Sequence, residues 1–223
     1  MPEIEIEKEV RIVLEADGFF KLYELLGGRE HKTKMLTNKY YDDALFSLYS
    51  EGHTLRLRDN ISSADISPEE WKIGVELKLN QPLEGDFNVS KEYRCNITPY
   101  DYILIDRTPS LIRNYVYLSE KTKPLLKGSL RLIGESVTTR TTIPSGSFND
   151  SEIVLDIARF KSAKATHFLT IPDLYVVELE NVSEADKGAF LNFLDQEDII
   201  FEVNTSVNKY QHLAGWHKRL KGR

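Results

Sequence analysis

Apolar and charged residues alternate along much of this chain, with the period of two that a β-strand gives to its two faces. From Glu3 the sequence reads Glu-Ile-Glu-Ile-Glu-Lys-Glu-Val-Arg, then Ile12, Val13 and Leu14. A strand over 3–14 places Glu7, Glu9 and Arg11 on one face. The same alternation recurs in Arg56-Leu57-Arg58, Glu76-Leu77-Lys78, Glu92-Tyr93-Arg94 and Glu178-Leu179-Glu180. The opposite faces are apolar, with Leu55 and Leu57, Leu77 and Leu79, Val177 and Leu179. Strands are expected over 3–14, 33–42, 53–58, 71–80, 88–97, 130–143, 152–159 and 174–181. Polar or turn-forming stretches at 59–70, around Pro82 and Gly85, and at Pro144–Ser147 separate them.

Helical periodicity is confined to a few segments. Asp17 is expected to cap a helix that buries Phe19, Phe20, Leu22, Leu25 and Leu26, with Gly27 and Gly28 ending it in left-handed conformations. Pro99–Lys127 reads as more helical, with Leu111, Ile112, Tyr115 and Leu118 on one face. Ser183 with Asp186 opens another helix, whose apolar stripe is Phe190, Leu191 and Leu194. A last helix is expected over 205–220, ending among Lys218, Arg219 and Lys221. Many antiparallel strands with a few helices predict an α+β fold or a closed barrel.

An antiparallel sheet with one wet face explains charged alternation equally simply. Two features favour a lumen instead. Like charges recur on one strand face, as in Arg56/Arg58 and Glu178/Glu180, which is unfavourable unless something compensates. They do so on many strands rather than one edge. A barrel lined by charge, with its apolar outside covered by helices, accounts for both.

Composition narrows the chemistry. The 223 residues suit one large domain, 1–223, able to bury a core without disulfides. A net charge of −6 argues against a general binder of nucleic acid or acidic membranes. The single cysteine, Cys95, excludes an intramolecular disulfide and a cysteine-cluster metal site, and reads as a half-buried strand thiol. The five histidines are dispersed without metal-ligand spacing. Tyr40 and Tyr41 read as packing residues. No apolar run approaches membrane-spanning length and no signal region opens the chain, so a cytoplasmic location is expected. No Gly-rich phosphate loop is present, so any grip on phosphate comes from side chains. Carboxylates suit hard cations, and Arg and Lys suit phosphate oxygens.

The ordered motifs resemble those of the CYTH superfamily, the triphosphate tunnel metalloenzymes, over nearly the whole chain. Glu7-Lys8-Glu9-Val10-Arg11 is similar to the family's ExExK signature, with Arg11 in place of the lysine. Glu3 and Glu5 share that strand face, but only the Glu7 register supplies a basic residue at i+4. Thr37–Asp42, Gly52–Arg58, Glu76–Lys78, Val137–Arg140, Leu155-Asp156, Val177–Glu180 and Asn208–Tyr210 resemble its later strands and its C-terminal lysine motif.

The resemblance implies an eight-stranded antiparallel barrel with helices packed outside, a tunnel that binds triphosphate with Mg²⁺ or Mn²⁺. It implies Glu7, Glu9, Asp156, Glu178 and Glu180 as metal-binding or water-activating residues, and Arg11, Arg56, Arg58, Lys78, Arg140 and Lys209 as phosphate ligands. Arg11 is also counted with Glu7, Glu9, Glu178 and Glu180 as catalytic. Glu76, Glu92 and Arg94 are further wall residues. Arg11 keeps the charge of the signature lysine but not its compact, titratable ammonium.

Three functions stay open at this point. One is metal-dependent hydrolysis of inorganic, thiamine or nucleoside triphosphate. Another is an adenylyl cyclase of the class IV type, and the third is a non-catalytic polyphosphate-binding module. The expected partner is a small triphosphate, not nucleic acid or membrane, for a monomer or homodimer. The helical CHAD domain that often accompanies the family is not expected.

Overall fold

The computed structural model describes residues 3–60, 72–81, 87–116, 123–144, 151–163, 171–203 and 208–221. Its strands are β1 (Glu3–Leu14), β2 (Thr33–Asp42), β3 (Thr54–Asp59), β4 (Ile73–Asn80), β5 (Asn88–Asn96), β6 (Arg131–Ile143), β7 (Glu152–Ser162), β8 (Leu174–Glu180) and β9 (Phe201–Val203). Helices are α1 (Ala16–Leu25), α2 (Ser47–Ser50), α3 (Pro99–Arg107), α4 (Glu184–Gln196) and α5 (Lys209–Lys221).

Every strand pairing is antiparallel, and the order is β5-β4-β3-β2-β6-β7-β8-β1. β1 closes the ring. Its residues 3–9 pair with β5 and residues 9–14 with β8, which joins the two ends into an eight-stranded barrel. β9 adds three residues beside Ile12–Leu14, outside the ring. Closure removes the exposed edges an open sheet would leave.

The registers decide which residues face inward. Arg11 lies opposite Glu178, Asp156 opposite Arg140, Asn38 opposite Arg58, Arg56 opposite Glu76, and Lys78 opposite Glu92. One set of alternate positions therefore runs right round the ring on the inner face. The other set is apolar and faces the helices. Val10, Ile12, Ile153, Leu155, Val177 and Leu179 pack against Phe19 and Leu22 of α1 and Phe190 and Leu194 of α4. Leu55, Leu57, Val75 and Leu77 pack against Ile105 of α3 and against Ile112 and Leu126. Ile133 packs with Tyr210, Leu213 and Ala214 of α5, a cluster that Tyr40 joins from the inner face.

Several local expectations need correction. α1 begins at Ala16 after Glu15, so Asp17 lies within the first turn rather than capping it. Phe20 and Leu25 are about half exposed, because only one face of this ten-residue helix meets the barrel. Gly27 is left-handed at φ 65°, whereas Gly28 begins a 3₁₀ turn. The helical reading of 99–127 holds only for α3. Thr108 precedes Pro109 and is extended, which stops the helix, and Pro109–Asn114 and Pro124–Leu126 are 3₁₀ turns. Leu118 lies outside the described residues, as do 61–70 of the expected loop and the Pro82/Gly85 turn. Two short elements, α2 and β9, were not expected at all.

Candidate active site

The barrel encloses a cavity with about 540 Å³ of empty space, its open end included. Its wall contains seven cations: Arg11, Arg56, Arg58, Lys78, Arg94, Arg140 and Lys209. Five carboxylates share it: Glu7, Glu9, Glu92, Glu178 and Glu180. A wider mouth with about 1000 Å³ of empty space continues past Arg58, Arg94 and Arg140 to Glu3, Lys34 and Lys72. At the other end Tyr40, Thr54 and the first residues of α5 complete the wall.

Two further carboxylates stand behind the cations. Glu76 accepts from Arg56 at 2.6 Å and from Arg58 at 3.3 Å. Asp156 has no exposed surface; Arg140 donates to both its oxygens, at 2.9 and 2.7 Å, and Lys209 lies 2.7 Å away. Glu76 lines only the mouth and Asp156 neither part, so among the five acidic residues the sequence associated with metal, Asp156 differs in place from Glu7, Glu9, Glu178 and Glu180. All the predicted phosphate ligands reach the wall, and so does Arg94.

Glu178 joins the late acidic strand to three cations: Arg140 at 2.7 Å, Lys209 at 3.0 Å and Arg11 at 3.5 Å. Burial alone would raise its pKa, but Lys209, Arg140 and Arg11 outweigh burial and hold it well below the usual carboxylate range. Lys78 bonds Glu7 and lies 3.4 Å from Glu9 and 3.3 Å from Glu92. Burial favours its neutral form, yet Glu9, Glu7 and Glu92 raise it above the ordinary lysine value. Glu92, with Lys78 and Arg94 at 2.6 Å, is lowered against burial by Lys78, then Arg56 and Arg94. Arg11 also bonds Glu9.

Glu180 is the exception. It sits opposite Glu9 in the β1–β8 register, and among the described residues its one ion-pair contact is Arg140 at 3.9 Å. Burial, which Arg140 only partly offsets, pushes its pKa up to about 8, with Glu178, Glu7 and Glu9 adding to the rise. Glu7 is raised as well, first by burial and then by Glu9 and Glu92 against the pull of Lys78. Negative charge is thus under-compensated where β1 meets β8. Among the described residues, no three acidic, histidine or cysteine side chains already converge as a metal site.

The chain's own sequence matches the CYTH domain family model over residues 5–206. The chain belongs to the CYTH domain family. No curated protein matches it at a significant level. Solved CYTH-like folds do. HpAC1 of Hippeastrum, described as an adenylyl cyclase candidate with dominant triphosphatase activity, is 19% identical with a TM-score of 0.69, over 94% of this chain and 96% of that one. An adenylate cyclase candidate of Bacillus halodurans is 21% identical with a TM-score of 0.64, over 93% and 97%. The Mimivirus capping-enzyme triphosphatase is 12% identical with a TM-score of 0.50, over 86% and 89%. These likenesses establish a shared fold.

Sequence reasoning passed over part of the cavity wall of this CYTH domain and of what supports it. Asn38 accepts from Arg58 Nε at 2.9 Å and donates to Ser136 at 3.3 Å, and so fixes the Arg58 guanidinium. Tyr40, read as a packing residue, both packs and lines the cavity, stacked on Tyr210 with ring centroids 5.5 Å apart. Tyr41 faces the apolar outside. The period-two step from Asn38 to Tyr40 on a strand that should share the charged face was the available signal. No described helix is long and apolar enough to cross a membrane.

Proposed function

We propose that this CYTH domain hydrolyses a triphosphate inside the barrel, with a divalent cation as cofactor. The observation that carries this reading is a cavity inside the closed barrel whose wall sets seven cations among five carboxylates. A pure anion receptor gains nothing from the carboxylates, and a pure metal site gains nothing from the cations.

Arg56, Arg58, Lys78, Arg140 and Lys209 bind the phosphate oxygens, with Arg11 at the junction of β1 and β8. Glu76 and Asp156 hold Arg56, Arg58, Arg140 and Lys209 in orientation from behind. Such pre-set donors stabilise charge as it builds on the transferred phosphoryl group without reorganising. Water attacks the terminal phosphorus, the bridging P–O bond breaks, and diphosphate leaves.

The attacking water's proton needs an acceptor. Glu178 is a poor base, because three cations keep it ionised. Glu180, pushed up to about 8, suits general-base work near neutral pH, and Glu7 is raised in the same direction. The cofactor this reading requires is Mg²⁺ or Mn²⁺. The donor set fits: Glu7, Glu9, Glu178 and Glu180 offer hard carboxylate oxygens, and the charge around Glu180 lacks a matching cation. When bound, that cation would supply Lewis-acid neutralisation of phosphate oxygens.

Incubation with inorganic triphosphate, thiamine triphosphate and ATP, each with Mg²⁺ and then Mn²⁺, tests the proposal by its products. Orthophosphate release supports it and ranks the substrates. Cyclic AMP with pyrophosphate would replace it with the cyclase. Saturable triphosphate binding without turnover would leave a binding module and point first to Arg11.

A further inference from the structure

Asp42 ends β2 with no exposed surface, yet no basic side chain among the described residues forms an ion pair with it. Instead four donors satisfy it. The backbone N–H groups of Asp43 at 2.8 Å and Leu48 at 3.1 Å donate to Oδ1. The N–H of Tyr49 at 3.0 Å and the phenol of Tyr210 at 2.5 Å donate to Oδ2. Three of these donors belong to the turn and helix that follow β2. Only Tyr210 comes from a distant element.

Tyr210 lies in the first turn of α5, directly after Lys209. Its ring stacks on Tyr40, and burial, then Asp42, raises its phenol pKa, so it stays a donor. Asn208 accepts from Gln211 N–H at 2.8 Å and donates to Thr54 at 3.3 Å. The start of α5 is thus tied at two points to the barrel rim. Between the two ties, the Lys209 ammonium reaches Asp156 and Glu178. A long, flexible side chain holds one geometry only if its backbone is held first.

We infer that Tyr210, anchored by the buried Asp42 carboxylate, is a positioning residue that sets the Lys209 ammonium in the tunnel. The placement itself is independent of what the tunnel binds; its consequence for phosphate rests on the proposed function.

The test uses Tyr210→Phe, which keeps the ring and removes only the hydroxyl. Limited acylation of the full chain by acetic anhydride, followed by mass spectrometry, reads how freely each lysine amine reacts. Tyr210→Phe is expected to raise the Lys209 rate several-fold while the exposed Lys32 and Lys34 keep theirs. An unchanged Lys209 rate overturns the inference whatever the substrate. Asp42→Asn supplies the same readout if the first variant does not fold. Calorimetric titration with inorganic triphosphate and Mg²⁺ then closes a cycle with Lys209→Met. Tyr210→Phe is expected to weaken binding several-fold in the native background and not at all beside Lys209→Met. An equal loss in both backgrounds overturns action through Lys209. A moved acylation rate with native affinity in Lys209→Met would support the positioning and strike instead at the phosphate role of Lys209.

Discussion

Glu180→Gln should make the metal-free protein more stable, and increasingly so as the pH rises. Glu180 has an ordinary value of 4.5 in the unfolded chain and about 8 in the fold, through burial and then the neighbouring Glu178, Glu7 and Glu9, against the partial relief of Arg140. The fold therefore binds this proton more tightly than the unfolded chain. Its contribution to stability is complete below about pH 4.5 and is lost as the pH climbs through 8. Each tenfold preference is worth about 1.36 kcal/mol, so the ceiling above pH 8 is about 5 kcal/mol. The side chain is 21% exposed, and ionisable sites behave as though the surrounding dielectric were about 20, which brings the expectation to about 2 kcal/mol.

Urea unfolding of both proteins in a chelator, from about pH 4.5 to about pH 9, isolates the effect. A constant offset belongs to the changed side chain; only the pH-dependent part belongs to the charge. The native-minus-variant difference should grow more negative with rising pH and level off near 8. Millimolar Mg²⁺ or Mn²⁺ should stabilise the native protein more than the variant at the alkaline end. A difference that is flat, or that widens as the pH falls, would refute the reasoning that Glu180 is an uncompensated carboxylate.

Arg56→Ala should weaken triphosphate binding by roughly 1.5–3 kcal/mol, the worth of a charge-assisted contact, and equal affinity by calorimetry would contradict its role. Glu9→Gln and Glu178→Gln should each abolish metal-dependent turnover with the far-ultraviolet circular dichroism unchanged; native rates in both would sink the tunnel assignment. Gly134→Ala should destabilise the fold by about 1–3 kcal/mol in urea unfolding, because a new Cβ would lie 2.5 Å from the Lys161 carbonyl oxygen and 3.0 Å from Leu213, beside the register shift at Tyr40/Tyr41. Native stability would show that the neighbouring strand and α5 yield freely.

The inward charges were legible because a closed barrel preserves period two around the whole ring. Arg56/Arg58 and Glu178/Glu180 announced their face by residue type alone. A closed barrel was expected, but the route of its closure was not legible. It depends on β1 being long enough to serve β5 with Glu3–Glu9 and β8 with Glu9–Leu14, and no local pattern encodes a shared strand. β9 is too short for any periodicity, and α2 is a single turn held by side-chain acceptors just upstream, Asp42 and Asp43, rather than by its own propensity. The withdrawal of Asp156 from the cavity and of Glu76 to its mouth was equally hidden. Their strand parity matches that of Glu178 and Lys78, and only the packed cations decide which carboxylate stands in front.

That division into front and back explains how so charged an interior folds at all. Cations as enclosed as Arg11, Arg56, Arg58, Lys78, Arg140 and Lys209 would, without partners, each carry a desolvation penalty of several kcal/mol. Here these six and the more open Arg94 are interleaved with seven carboxylates: the five on the wall, Glu76 at the mouth and Asp156 behind. The lumen is close to neutral before anything binds. A triphosphate entering it cannot draw on a large net positive charge. It must take Arg and Lys donors from carboxylates that already hold them, and every carboxylate so released needs a new cation. Glu180 is short of one from the start, and Glu7 shares its Lys78 with Glu9 and Glu92. On this proposal, polyanion and divalent cation enter as a pair because each supplies the charge that the other's ligands lose, and a tunnel given only one of them would be left with unpaired buried charge.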